Sequence, residues 1–360
     1  MAFELIFKQP GTSRSDLVTL LSSTPTTVTR LLASMESQQL IDEQADKSGR
    51  RGPPIKQLFI RKGALYSAGI NFTHNRLEVA LVNFDGSWLD SHSEKIKKPT
   101  AEQIEDHALH ALNDLLSKHN ISKKSLIGIG VSVPGDFMAD GHTITAHSYF
   151  PALKNLDIEK HFKQFFKLPI YIENDANCSA LCELLAGVGR DKREFLSLYI
   201  GYGVSSGLAI NHKLYRGQHG NAGLIGVQFP SFVNIRPSGQ NLLEFLNRQD
   251  IHAKGFSELG KLYEENCEDI NMWLDRAAAQ LQEKLYQIAR LLDLQAIIVG
   301  GRLPLNILQH LAKSVNAKTF APVEDLLPYS EIVCTEMGAR AGVYGAALIP
   351  IYRECFLHTD

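Results

Sequence analysis

From Leu65 onward the chain alternates two kinds of run, and that alternation restricts its fold more than any other feature. Apolar, β-branched runs ending in glycine (LIGIGVSVPG, FLSLYIGYG, QAIIVGG) are interleaved with stretches of helical periodicity such as WLDRAAAQLQEKLYQIARLLDL. Strands that stop at glycine turns and lead into helices predict α/β layers, because a strand apolar on its faces must be covered by helices. LYSAGINFTHNRLEVALVNFDGSWL reads as two strands joined by a turn, and LPIYIENDANCSALCELLAGVG as strand, polar turn and helix. FLSLYIGYGVSSGLAINHKLYRG reads as a glycine-punctuated hairpin, and MGARAGVYGAALIPIY as a helix of small residues able to pack closely. Two such halves point to a nucleotide-style cleft between lobes. At 360 residues the chain is too long for one small core, so two or three domains are expected.

The first 62 residues follow a different pattern. Phe3, Ile6 and Phe7 share one face of a short opening helix, and Ser13 is placed to cap a second, with Leu17, Leu20 and Leu21 inward. Thr24-Pro25 offers a cap with proline in the first turn of a third helix. There Val28, Leu31, Leu32 and Met35 fall at i, i+3, i+4 and i+7, so Thr26, Thr27, Thr29, Arg30 and Ser34 face away. Two strand-like runs, LIDEQ and IKQLFI, flank the turn segment DKSGRRGPP. This order predicts a winged helix-turn-helix over 1–62, whose third helix enters the DNA major groove. The hydroxyls of Thr26, Thr27 and Thr29 could reach bases or phosphates, and Arg30 either. Arg50 and Arg51, on a tight turn, could reach a minor groove or phosphates. The same unit with a polar outer face also suits a protein-interaction domain.

Charge is distributed unevenly. Residues 1–62 hold nine Lys/Arg against six Asp/Glu, a net +3, whereas the remaining 28 basic and 33 acidic residues leave −5. That sign fits a DNA-binding head on a neutral-to-acidic body. The composition, 44% hydrophobic and 21% charged, is that of a globular protein, and no apolar run approaches the ~18 residues that span a bilayer. The N-terminal stretch turns polar after Phe7, too soon for a secretion signal, so a cytoplasmic location with no membrane contact is expected. Five scattered cysteines include Cys178 and Cys182, four apart on a helical stretch. Buried helix thiols are favoured over metal ligands there, since no second pair of Cys or His stands at ligand spacing.

The order of VPG, ENDAN, the Gly-x-Gly hairpin, G-x-A-G-x-I-G, the VGG turn and A-G-x-x-G-A-A resembles the ROK family (repressors, open reading frames and sugar kinases). The head, with its SRSDL and GPP segments, is similar to the winged heads of that family's repressors. The resemblance implies an α/β, actin-like, hexokinase-type two-lobed ATPase fold behind a winged helix-turn-helix, with lobes at 63–185 and 186–360. It implies that Asn174 holds sugar hydroxyls, that Asp175 is the general base, and that Gly135 and Glu244 lie at the ligand. Several departures weigh against catalysis. The phosphate loop Asp-x-Gly-Gly-Thr is replaced by Asn71-Phe72-Thr73-His74-Asn75, and Ser205-Ser206 follows Gly201-Tyr202-Gly203 where further glycine is usual. Phosphoryl transfer depends on positioning and charge neutralisation, so these losses predict a non-enzyme in which Asp175 is vestigial. Leu224 and Val227 replace the sugar-gripping Glu and zinc-ligating His, and the zinc-loop match FVNIRPSGQNLLE has no cysteine, so no metal and no cofactor are expected. The expected partners are a double-stranded DNA operator, a sugar or sugar-phosphate effector or a protein partner, and a second copy of the chain in a homodimer or homotetramer, since two heads read a two-fold site. A sugar kinase and a docking module without sugar binding remain the alternatives.

Overall fold

Local signals at the start of the chain set its first elements. α1 (Ala2–Lys8) buries Ile6 and Phe7. α2 (Arg14–Leu20) opens with a capping box, in which Asp16 N–H donates to the Ser13 hydroxyl and the Asp16 carboxylate accepts from Ser13 N–H at 2.9 Å. α3 (Pro25–Ser37) is capped by Thr24 with Pro25 in its first turn. β2 (Ile41–Ala45) and β3 (Lys56–Ile60) pair antiparallel with Glu43 opposite Leu58. A two-residue β1 (Thr12–Ser13) adds to β3, giving the order β1-β3-β2. Two expectations about packing need correction: Leu20 is 48% and Leu31 44% exposed. The core here is narrow, centred on Leu17, Val28 and Leu32, and Leu20 and Leu31 fall at the edges of their helices' buried stripes.

A computed structural model describes residues 1–45, 56–97, 99–140, 143–146, 150–153, 156–229, 236–265, 267–317 and 330–356. Two compact units result: Met1–Val131 with Ile158–Ile172 and Ala346–Asp360, and Ser132–Asp157 with Glu173–Gly345. Beyond the N-terminal elements, the first unit is built on a five-stranded sheet. Its strands are β4 (Tyr66–Thr73), β5 (Arg76–Asn83), β6 (Trp88–Lys95), β7 (Leu126–Val133) and β10 (Ile170–Asn174), in the order β10-β7-β4-β5-β6. β4 and β5 form a tight hairpin with Thr73 opposite Arg76. β6 lengthens the expected strand pair to three; its polar sequence fits the edge of the sheet. α4 (Ala101–Lys118), capped by Thr100, lays Ile104, Ala108, Leu112 and Leu115 inward against β5. α5 (Ile158–Phe166) adds the buried Phe162 and Phe166.

The second unit has its own five-stranded sheet in the order β13-β12-β11-β14-β15. β11 (Phe195–Ile200), β12 (Val204–Ile210) and β13 (Lys213–Tyr215) form an antiparallel meander. β14 (Ala296–Gly301) and β15 (Glu331–Cys334) extend it in parallel with β11. A ribbon of β8 (Gly135–Phe137) and β9 (Ile144–Ala146) stands apart. The helices are α6 (Asp175–Ala186), α7 (Gly239–Arg248), α8 (Phe256–Glu264), α9 (Glu268–Leu292), α10 (Leu305–Ala317) and α11 (Ala341–Cys355), the last running on into the first unit's residues. The periodic stretch read as one long helix is α9, which turns Ile270, Trp273, Leu274, Ala277, Leu281 and Leu285 into the core. Trp273 is fully buried and satisfies its indole N–H on Asn241 Oδ1 at 2.9 Å.

Candidate functional site

The segment Glu173-Asn174-Asp175 sits where β10 ends and α6 begins, with no polar turn between them. Asn174 makes the turn unnecessary by acting as the helix cap: its Oδ1 accepts from the N–H groups of Ala176 (2.8 Å) and Asn177 (3.3 Å). Asp175 is the first helical residue, half-buried, and its Oδ1 accepts from Ala176 N–H at 2.9 Å. Asn174 also donates Nδ2–H to the Gly135 carbonyl at 2.7 Å, which brings two of the expected ligand residues together through backbone. An amide has two donors and two acceptor sites, and the Gly135 contact uses one of the two N–H groups of Asn174.

Around this core stand residues that sequence reasoning missed. Glu173, 1% exposed, accepts on Oε1 from Asn174 N–H and Asn177 Nδ2–H, both at 3.0 Å. Its Oε2 lies 3.0 Å from Arg216 Nε, an attraction between charges that is off the line of a hydrogen bond. The Arg216 guanidinium lies 4.6 Å from the centroid of the Phe137 ring. Asn221 clamps Phe137 with both ends of its amide, accepting from Phe137 N–H at 2.8 Å and donating to its carbonyl at 2.7 Å. An acid at the buried end of a strand, directly before Asn-Asp, was the available clue to Glu173. Nothing local to Arg216 reveals its partner 43 positions earlier.

The Gly220–Gly226 segment folds onto β12. Gly223 has φ +91°, a β-carbon there would overlap the Ser206 carbonyl, and the Ser206 hydroxyl donates to the Gly223 carbonyl at 2.6 Å. Leu224 is half-buried and Val227 76% exposed, so neither replaced position offers a donor to a metal. Residues 230–235 of the expected zinc-loop match lie outside the described residues. Glu244 lies on α7, half-buried, and accepts from Gln240 Nε2–H at 2.8 Å.

The positions expected to cradle phosphates are filled by contacts within the chain. Asn71, 1% exposed, donates its amide to Glu78 at 2.6 Å, and Thr73 donates to Asn75 Oδ1 at 3.0 Å across the hairpin turn. The Gly201 carbonyl accepts from Gly239 N–H at 2.8 Å, and the Tyr202 ring lies 4.7 Å from that of Phe256. Gly301 has φ +126° and abuts the Ile200 backbone, so packing of β14 on β11 accounts for it, while Gly300 lies against Thr335.

On α3 the residues Thr26, Thr27, Thr29 and Arg30 are all exposed. The hydroxyl of Thr29 is not free to reach outward, because it donates to the Pro25 carbonyl at 2.8 Å, and that of Thr27 lies 3.0 Å from the Thr24 hydroxyl. Arg14, a further cation of this region, is tied to Glu36 and Glu43. Arg50 and Arg51 lie outside the described residues. Cys178 and Cys182 are buried thiols on α6, and burial pushes both well above the usual thiol range. Among the described residues no helix is long and apolar enough to cross a membrane.

Two α/β units, each on a five-stranded sheet, define an actin-like, hexokinase-type fold. The chain belongs to the ROK family, which its residues 67–352 match. It is 34% identical to the uncharacterized protein y4fQ of Sinorhizobium fredii over 98% of this chain and 90% of that one. It is 23% identical to the xylose repressor of Lactiplantibacillus pentosus over 84% and 80% of the two chains. The crystal structure of a ROK family transcriptional regulator, a homolog of the E. coli MLC protein, superposes with a TM-score of 0.74 at 17% identity, covering 97% of this chain and 94% of that one. Family sugar kinases match as well: a glucokinase of Halalkalibacterium halodurans is 31% identical over 48% of this chain and 50% of its own.

Proposed function

We propose that the chain is a DNA-binding transcriptional regulator, a repressor of sugar-metabolism genes, whose body answers to a sugar-type ligand or to a protein partner. The observation that carries this reading is the unit ahead of the family match. Three helices and a small antiparallel sheet, in the order of a winged helix-turn-helix, turn Thr26, Thr27, Thr29 and Arg30 of α3 to solvent on a segment of net +3. Similarity to xylose repressors and to a ROK regulator over nearly the whole chain supports it. On this reading 1–62 is the DNA-binding domain, residues 63–360 form the two-lobed body, and two or four copies assemble in the cytoplasm to present heads to a two-fold operator. The effector, a sugar or sugar phosphate, would meet Gly135, Asn174, Asp175 and Glu244. The occupied phosphate positions at Asn71 and Gly201 support a body without kinase activity.

The test is selection of bound fragments from random DNA across salt concentrations, with and without Arg30→Ala. An enriched two-fold motif with a steep salt slope, weakened by the substitution by about 1–3 kcal/mol if Arg30 reads a base, is the expected result. Binding no better than nonspecific would overturn it. A sugar kinase is the second reading, favoured by retention of Asn174 and Asp175. It requires sugar-dependent ATP turnover that Asp175→Asn abolishes.

A further inference from the structure

The outward face of α3 is chemically different from what its threonines suggest. Thr26, Thr29, Arg30, Ala33 and Ser37 are spaced at i, i+3, i+4, i+7 and i+11 and are all exposed, so they form one stripe along the helix. A tetrahedral β-carbon that turns its hydroxyl in against the backbone turns its methyl out, and Thr29 spends its hydroxyl on the Pro25 carbonyl. Thr29 therefore shows a methyl. Ala33, one turn further on, shows another beside it. Arg30 is the single cation of α3, and the helix contains no asparagine or glutamine.

Major-groove edges are distinguished by few groups. Thymine alone carries a methyl, guanine offers two acceptors that suit a guanidinium, and adenine is read best by an amide. Resting on the DNA-binding reading above, we propose that α3 reads its half-site through the 5-methyl groups of thymines packed against Thr29 and Ala33, with Arg30 on a guanine beside them. Thr29 is on this view a specificity-determining residue that acts through its methyl, not its hydroxyl.

The test uses the full-length chain and duplexes selected from a random library made with natural nucleotides. Each selected duplex is then resynthesised with deoxyuridine for thymidine, which removes only the methyl, and binding is followed by fluorescence anisotropy. Deoxyuridine at one or more half-site positions is expected to weaken binding at least about fivefold, the low end of what one mismatched pair costs. Thr29→Ser, which keeps the inward hydroxyl and loses the methyl, should bind both duplexes alike at the half-site position that Thr29 contacts, leaving only the preference contributed by Ala33. Thr29→Val, which keeps the methyl, should retain the preference, and so excludes a folding defect as the cause. Equal binding of both duplexes by the natural chain, or a preference that Thr29→Ser leaves undiminished at every position, would overturn the proposal while leaving the regulator reading intact. Failure to enrich any sequence would overturn both.

Discussion

Glu173 shows how a single buried charge organises the candidate site. Its carboxylate holds Asn174 and Asn177 through N–H donors, and the Arg216 guanidinium stands beside it as a cationic neighbour. Removing one partner of a buried pair leaves the other charge uncompensated, which outweighs the modest attraction lost. Arg216→Ala is therefore expected to destabilise the fold by about 3 kcal/mol in urea titrations, and adding Glu173→Gln to restore much of it. Additive losses in the double variant would exclude this coupling. Glu183 on α6 presents the opposite case, a buried acid with no ion pair among the described residues. It is 1% exposed, accepts from the Thr335 hydroxyl and from Val188 N–H, and burial raises its carboxyl above the ordinary 4.5. Since the folded state then holds a proton that the unfolded chain gives up, stability falls as pH rises from 4.5 through the raised value. Glu183→Gln removes that slope, and its amide can still accept from Val188 N–H while its NH2 meets the Thr335 hydroxyl. Denaturant titrations across pH should show the variant gaining on the natural chain as pH rises; parallel curves would rule the effect out. Neither residue stood out in the sequence. Burial and partners 43 and 152 positions away give them their properties, and a one-dimensional pattern records neither.

Elements were legible wherever their signals were local. The Ser13 cap, Thr24-Pro25, the α9 stripe and the glycine-ended strands β7, β11 and β14 all lie in the positions their sequences require. β1 was not legible, because two residues carry no period and become a strand only by pairing with β3. The polar turn expected after β10 vanished because Asn174 caps α6 directly. α11 was expected as a small-residue helix, and its packing shows why small residues are needed. Pro350 lacks an N–H, so the Ala346 carbonyl loses its helical donor. Gly130 of β7 lies against that carbonyl, where a β-carbon would overlap it. Gly130→Ala must push strand and helix apart and is expected to lower stability by about 1–3 kcal/mol, read as a fall in the melting temperature. A melting temperature unchanged by the added methyl would mean that the approach is looser than this.

At the scale of the whole molecule, the expected separation between a DNA-binding head and a body meets a physical constraint. α1 does not stand free. Phe3 lies 4.8 Å from Phe84 between ring centroids, Phe7 packs edge-on against Phe356 at 5.2 Å, and the Lys8 ammonium lies over the Phe356 ring at 5.4 Å. Phe84 and Phe356 belong to the body, yet they fall in the same compact unit as α1. Gly86 is tight against Phe7, and no larger residue fits there without displacing the ring. An aromatic cluster of this kind is part of a core rather than a linker, so the N-terminal elements should unfold with the sheet of the first unit and not before it. Phe7 is 6% exposed, and truncating a buried phenylalanine costs about 3–5 kcal/mol. Phe7→Ala is therefore expected to lower amide-exchange protection in α1 and in the C-terminal turn of α11 together, since both lose the same ring. If head elements carry DNA affinity, the variant should also bind operator more weakly, because a loosened head must be reordered on binding. Loss of protection confined to α1, with α11 unchanged, would instead make the head an independent module tethered to the body.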